Sequence, residues 1–413
     1  MDSEEIVKMV AEKKIKMHEI DKYAANGGEA ARIRRKIIEA ARGINLVHIA
    51  NSSIDADDAG QRNIENFVGA TQVPLGKVED DLRVNGRYAK GDYPILLATT
   101  EGKLVAGISR GVAAINEAGG ANTVVVNDGM TRDVLLAAKN AGEGQEIAEL
   151  VKSDEWRAFI ADEFSKYTKH GRLVEVRPFV SGRYVHLRFK AFTGAAMGMN
   201  MVTIAANATA KEIIKRLEGK GISAMVIGES GNMCSDKKPA YINVVEGRGV
   251  SVIAEAVIPR EYIVKKLRTT PEAIAELNKA KNLIGSALAG SHGYNGHVAN
   301  ILAAMYIAYG QDVAQIVEGS QAITDASVND DGSLYISVHI PALEVGTYGG
   351  GTARETQKEA LMLLGLYGDG DKTGKTRLAF AEVVAATCLA GELNLLAVES
   401  SGDLAKSHAK LKR

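Results

Sequence analysis

Two cysteines in 413 residues, Cys234 and Cys388, are too few for a disulfide framework or a thiolate metal cluster. A reducing, cytoplasmic setting is the expectation that follows. Charge of one sign is missing too, with 50 Lys plus Arg against 51 Asp plus Glu. No global field therefore points to nucleic acid or to an anionic membrane, and partners have to be argued from sites. The opening MDSEEIVKMVAEKK has no apolar signal core, and no run is expected to approach the length of a membrane span. The eight histidines never adopt a spacing such as H-E-x-x-H, so no metal is expected. In GDGDKTGKT neither Gly368 nor Gly370 stands at the Walker distance from Gly374, and no strand is expected before it.

What is present is a chain that is 46% hydrophobic and 24% charged, enough for a large core and, on length, two or three domains. Residues 1–64 read as charged helices, with GGEAARIRRKIIEAARG stopping at Gly43,. From Asn63, NIENFVGATQVPLG mixes turn and buried-type residues and reads as a strand or loop near a domain seam. YPILLATTEGKLVAGISRGVAAINEAGG gives an apolar strand, then Glu101, then helical spacing from Ile108 to Ile115. A carboxylate at such a junction is expected to find backbone N–H donors.

Beyond Arg132 the pattern is that of a small α+β unit. Helices fit 133–168, and RLVEVRPFV and RYVHLRFKAF alternate around Ser181-Gly182 as a hairpin,. TGAAMGMNM, a helix through Ile214 and Leu217, and the strand ISAMVIG complete it. Helices on one face of a small antiparallel sheet is the expectation. The unit reads as an insertion at 133–228 between two parts of a larger domain, 65–132 and 229–413. In the last third, Ser291 to Ser320 reads as one long, mostly apolar helix around which the fold is built. His297, Asn300, Gln311, Asp312 and Gln315 would share an arc of about 120° on it. These polar groups are either satisfied by neighbours or part of a site. GTYGGGT, at 346–352, lets a backbone approach a ligand closely, or is a floppy surface turn,.

ENFVG with PLG, ATTEGKLVA, AMGMNM, SDKKPA, GQDVAQ, GTYGGGT and KSH near the carboxyl end occur in an order and spacing that resembles the 3-hydroxy-3-methylglutaryl-coenzyme A (HMG-CoA) reductase family, in its form with a bare catalytic region. The likeness runs from the Arg32 helix to His408. It implies an α+β fold: a helical amino-terminal segment, a large domain around one long central helix, and an inserted ferredoxin-like dinucleotide-binding domain. It implies NADPH as cofactor, HMG-CoA and mevalonate as substrate and product, and a homodimer with shared active sites. Glu101, Lys237, Asp312 and His408 match the family's catalytic groups. Ser230, Asp236, Lys238, Arg132, Lys281, Asn300 and Arg110 match groups that hold the acyl part or its surroundings. Thr168 and Lys169 align near the extra phosphate of NADPH. The dinucleotide loops are Met197, Gly198, Met199 and Asn200 with Gly349, Gly350 and Gly351.

The chemistry agrees with those positions. Reducing a thioester to an alcohol takes two hydrides, so the site must stabilise an oxyanion twice, supply protons and let a thiol leave. Lys237 is the natural cation, and Glu101 beside Asp312 would give two acids whose repulsion keeps a proton available. His408 would protonate the departing thiolate. Three positions depart from the family: Ala195 replaces an acid, KVEDDL (from Lys77, through Asp81) replaces a Gly-Pro turn, and Gly107 stands where many members have Ser. A non-catalytic thioester or dinucleotide binder, or an enzyme running the reaction backward with NAD, are the competing readings.

Overall fold

In the computed structural model, which describes residues 2–402, the strands run in chain order as β1 (Leu75–Lys77), β2 (Leu82–Asn85), β3 (Lys90–Tyr93), β4 (Leu96–Ala98), β5 (Ala121–Ala138), β6 (Arg172–Ser181), β7 (Tyr184–Phe192), β8 (Ala224–Gly228), β9 (Gly249–Ile258), β10 (Ile323–Val328) and β11 (Leu334–Leu343). β5 is 18 residues long and serves two sheets. Its first half pairs antiparallel with β9 and extends the order β10-β11-β9-β5-β2-β3, in which only the β2–β5 pair is parallel. Its second half lies antiparallel between β7 and β8, with β6 outside β7. Its β-branched residues suit a pleated surface, and a register shift between Val125 and Asn127 lets one strand turn from one sheet to the other,. Residues 133–138 are therefore strand, and the helices expected from 133 onward begin at Ala141. Asn140 and Ser153 start the helices Ala141–Lys152 and Asp154–Ser165 by accepting hydrogen bonds from Glu143 and Trp156 N–H,.

The second half of β5 has its own core. Trp156, Ile160 and Phe164 meet Val185, Leu187 and Phe189 and the helix Met199–Glu218 through Val202, Ala206, Ile213 and Leu217. The hairpin of β6 and β7 stands where alternation put it.

The larger core surrounds the helix Lys375–Ser400, of whose 26 residues 19 are buried. This corrects two expectations. The long central helix is not 291–320: there the helix is Val298–Ala308, and Gly310, at φ 69°, breaks the chain before a short turn Val313–Gln315 and the helix Ile316–Gly319. Nor is the chain without a run of membrane-span length, because Lys375–Ser400 is long and apolar enough, although 83% of its apolar window is buried inside the fold. An apolar helix with no polar face is a core helix when protein covers it.

Three charged residues of that helix are buried, and each fixes a loop. Arg377 pairs with Asp128 of β5 at 2.7 Å and donates to Gly194 O at 2.6 Å. Glu382 accepts the N–H groups of Arg87, Tyr88 and Ala89 in the β2–β3 turn. Glu392 accepts from Gly296 and His297 N–H, both at 2.7 Å, and from Thr324 Oγ1. At the amino end, Asn26 caps the helix Gly27–Arg42, which stops at Gly43 as expected. Its Arg34 and Arg35 donate to Phe67 O and Val68 O, tying ENFVG to that segment.

Candidate active site

After β8 the chain enters ESGNMCSDKKPA, and buried groups of the small sheet hold it. Asp133 accepts Met233 N–H at 2.9 Å and pairs with His186 Nδ1 at 2.9 Å, while Arg188 Nε donates to Met233 O and Thr131 Oγ1 to Cys234 O. The loop is wound tightly, with Asn232, Ser235 and Lys237 all left-handed at φ 69°, 52° and 58°. Three such non-glycine residues cost of order 1 kcal/mol or more each and collect where a side chain has to be aimed. Here the one aimed is Lys237, whose Nζ lies 2.9 Å from Asp312 Oδ2. The hydrogen bond to Asp312 raises the lysine above its ordinary value, so it stays charged through neutral pH,.

Asp312 follows directly on the break at Gly310, and its Oδ1 accepts Ala314 N–H at 3.1 Å. Glycine is needed there because a Cβ on Gly310 would lie 2.4 Å from Gly351 O, and one on Gly351 would lie 2.6 Å from Gly310 O,. Glu101 meets the start of the helix Val298–Ala308, and no hydrogen bond among the described residues joins it to Asp312 or Lys237, so the expected pair of adjacent acids is not seen. Asn300 Nδ2 donates to its Oε1 at 3.4 Å, and the Glu101 N–H donates to Thr99 Oγ1. The expected contact of Glu101 with the following helix does not form, since Leu104–Glu117 has Lys103 at its cap and no side-chain cap bond. Asp312 is partnered by the lysine and Glu101 by Asn300. A cavity of about 320 Å³ opens beside Glu101, lined also by Lys103, Gly107, Arg110, His297 and Asn394. Arg110 donates to Leu267 O at 2.8 Å and to Asn394 Oδ1 at 3.5 Å.

Of the other residues matched to the acyl site, Ser230, Asp236 and Lys238 lie on the Lys237 loop, and Arg132 Nη1 is 3.9 Å from Asp236 Oδ2. Lys238 Nζ donates to Asp236 O, and Ser230 Oγ is 3.8 Å from Cys234 Sγ. Lys281 is engaged elsewhere, with Glu399 at 2.6 Å. His408 lies outside the described residues.

The residues matched to the dinucleotide come together as three touching turns. Gly198, at φ 88°, starts the helix that carries Met199 and Asn200. Thr168 accepts Gly171 N–H at 2.8 Å, and its Oγ1 lies 2.9 Å from Met201 Sδ, while Lys169 is exposed beside it. On the other side Thr347 N–H donates to Ala195 O at 2.8 Å, and a Cβ on Gly346 would lie 2.6 Å from Met197 N. Gly349 and Gly350 take φ 80° and 57° with open space where a Cβ would stand.

Sequence reasoning missed the groups beneath this surface. Arg248, fully buried, reaches Asp236 Oδ1 at 3.0 Å, Glu318 Oε1 at 3.0 Å and Glu344 Oε1 at 3.1 Å. The lone signal was an arginine flanked by glycines in VEGRGV, just before an apolar strand.

The profile of the hydroxymethylglutaryl-coenzyme A reductase family matches residues 30–413. The chain is 49% identical to 3-hydroxy-3-methylglutaryl-coenzyme A reductase of Pyrococcus abyssi over 416 residues, covering 100% of each chain. It is 45% identical to the Methanocaldococcus jannaschii protein of that name, covering 99% of each. The Streptococcus pneumoniae class II enzyme, solved bound to NADPH in open conformations, shares the fold with a TM-score of 0.66 at 18% identity, covering 93% of this chain and 100% of that one. A family profile over more than nine-tenths of the chain, and relatives near half identity end to end, leave one assignment: this chain belongs to the HMG-CoA reductase family.

Proposed function

We propose that the chain reduces HMG-CoA to mevalonate and free coenzyme A by two hydride transfers from NADPH. The observation that carries this reading is the Lys237–Asp312 ion pair at 2.9 Å on a tightly wound loop. An ammonium fixed in that way is ready to meet an oxyanion, and such preorganised charge is worth several kcal/mol in a site closed to water. The nicotinamide supplies the hydride when bound. Asn300 orients the Glu101 carboxyl, the proton source for the alkoxide, and His408 protonates the thiolate,. Asp236, Arg132 and Ser230 bind the acyl end.

The dinucleotide would lie over the turns at Thr168–Lys169, Met197–Asn200 and Gly349–Gly351. The small unit, 133–228, follows the order βααββαβ with strands arranged β6-β7-β5-β8. That order supports a ferredoxin-like domain, entered partway along β5. Residues 1–64 form the helical segment, and 65–132 with 229–413 form the large domain around Lys375–Ser400. Val124, Val126 and Val257, exposed on β5 and β9, support a homodimer. The two cysteines, free and buried, support a cytoplasmic setting.

Steady-state oxidation of NADPH and of NADH, each with HMG-CoA, tests the reading. Turnover with NADPH that yields free thiol is expected. Binding of both ligands without turnover would identify a non-catalytic binder. Turnover only from mevalonate with NAD would reverse the direction.

A further inference from the structure

We propose that Glu318, backed by Arg248, is a positioning residue for Lys237. The inference rests on the reading of Lys237 as the cation that meets the oxyanion.

Lys237 has two attachments. Its ammonium pairs with Asp312, and its backbone N–H donates to Glu318 Oε1. The second attachment is not local, because Glu318 lies 81 residues away in the chain and is fully buried. A lysine at φ 58° needs its peptide held from outside, since a non-glycine residue otherwise relaxes out of the left-handed region. Glu318 is the group that holds it.

Arg248 completes the device. Its Nη1 donates to the same Glu318 Oε1 at 3.0 Å, and its Nη2 donates to Asp236 Oδ1 at 3.0 Å. One buried guanidinium thus grips the residue before Lys237 by its side chain and Lys237 itself through Glu318. Gln315 Nε2 adds a bond to Asp236 Oδ1 at 3.2 Å. The short 313–315 turn and the helix Ile316–Gly319 therefore carry both Gln315 and Glu318 to the loop, starting from Asp312, the partner of the lysine ammonium. Both ends of Lys237 are referred to one six-residue step of chain.

Glu344 is the internal control. It shares Arg248 Nη1 at 3.1 Å and is equally buried, but it makes no bond to Lys237. Around Glu318 the charged and titratable groups among the described residues are Arg248, Glu344, Asp236, Lys237 and Tyr306, whose buried hydroxyl has no hydrogen-bond partner among them. Burial, offset by Arg248 and by the Lys237 N–H, pushes Glu318 up to about 7. A neutral side chain of the same shape that keeps an acceptor should therefore serve nearly as well.

The test compares Glu318→Gln, Glu318→Asp, Glu318→Leu and Glu344→Gln, each assayed with HMG-CoA and with free mevaldehyde, with thermal unfolding in parallel. Glu318→Gln keeps the acceptor and should retain kcat within about threefold. Glu318→Asp keeps the charge for Arg248 but withdraws the acceptor by one methylene. It should lose at least tenfold in kcat in both assays, with KM for NADPH unchanged. Glu318→Leu should lose more, and if it fails to fold the Asp and Gln variants decide. Glu344→Gln should alter Tm but not kcat by more than threefold. Wild-type kcat in Glu318→Asp, losses confined to KM, or losses that follow Tm across both glutamates would overturn the proposal. Undiminished activity in Lys237→Ala would instead sink the reading of Lys237.

Discussion

Gln311 and Gly346 exchange two hydrogen bonds, Gln311 Nε2 to Gly346 O at 2.9 Å and Gly346 N–H to Gln311 Oε1 at 2.8 Å. The amide of one side chain acts as a short stretch of strand and joins the turn that carries Asp312 to the loop that continues into Gly349–Gly351. Thr347 then passes the connection to Ala195. The lysine's partner and the two glycine loops are thus one mechanical unit.

Gln311→Ala should break that unit. Two backbone groups of a half-buried loop lose their partners, at about 1–3 kcal/mol in stability. Because Gln311 touches neither acyl nor dinucleotide groups in this reading, the kinetic effect should fall on kcat and on KM for NADPH together. Denaturant unfolding and steady-state kinetics check both, and a loss of stability with unchanged kinetics would mean that the loops hold without it.

Much of the small unit was legible because its signals are local. The β6–β7 hairpin alternates around a glycine turn, and the Met199–Glu218 helix follows a glycine that only a left-handed start explains. Residues 133–138, DVLLAA, are strand, because a short apolar run does not reveal its period and the pairing with β7 decides,. The Lys375–Ser400 helix was not singled out for the opposite reason. It is apolar nearly all round, so no face stands out, whereas 291–320 looks helical until Gly310 takes a positive φ. Lys237 and Asp312, matched from family spacing, meet in the structure, whereas Glu101 contacts Asn300. Arg248, Glu318 and Glu344 were not readable, because they meet across 70 and 96 residues of chain.

Ala195, read as replacing an acid of the family's loop, has surroundings that suit the small residue. It is 5% exposed, and its Cβ, with the Thr347 and Thr376 hydroxyls, surrounds the place that a Cβ on Gly368 would take. Ala195→Asp should therefore lower Tm, since desolvating a buried carboxylate costs several kcal/mol before any pairing, for example with the Arg377 guanidinium beside Gly194 O, offsets it,. Its kinetic effect should fall on KM for the dinucleotide more than on KM for HMG-CoA. A change confined to HMG-CoA would remove this loop from the cofactor site.

Gly107, read as standing where many family members have Ser, faces the end of the Asn394 side chain. A Cβ there would lie 2.8 Å from Asn394 Nδ2, and Asn394 Oδ1 accepts from Arg110 at 3.5 Å. Gly107→Ser should displace the Asn394 amide, loosen Arg110 and raise KM for HMG-CoA, with a small loss of stability, because the group displaced is the end of a flexible side chain,. Adding Asn394→Ser, which shortens the opposing side chain, should recover stability. If the double variant is no better than the single one, the crowding lies elsewhere.

Lys237 and His408 should separate the two half-reactions. In the proposed mechanism Lys237 meets an oxyanion in both hydride transfers, so Lys237→Ala should abolish reduction of HMG-CoA and of free mevaldehyde alike. It also leaves Asp312 without its 2.9 Å partner, so a modest change in stability should accompany the kinetic loss. In the proposed mechanism His408 has the narrower task of protonating the coenzyme A thiolate, a step that free mevaldehyde never needs because the thiol has already gone. His408→Gln should therefore cripple the overall reaction and leave mevaldehyde reduction largely intact. Equal losses in both assays would assign His408 to hydride transfer or to folding, and the proton for the thiolate would have to come from another acid matched to the catalytic set, Glu101 or Asp312.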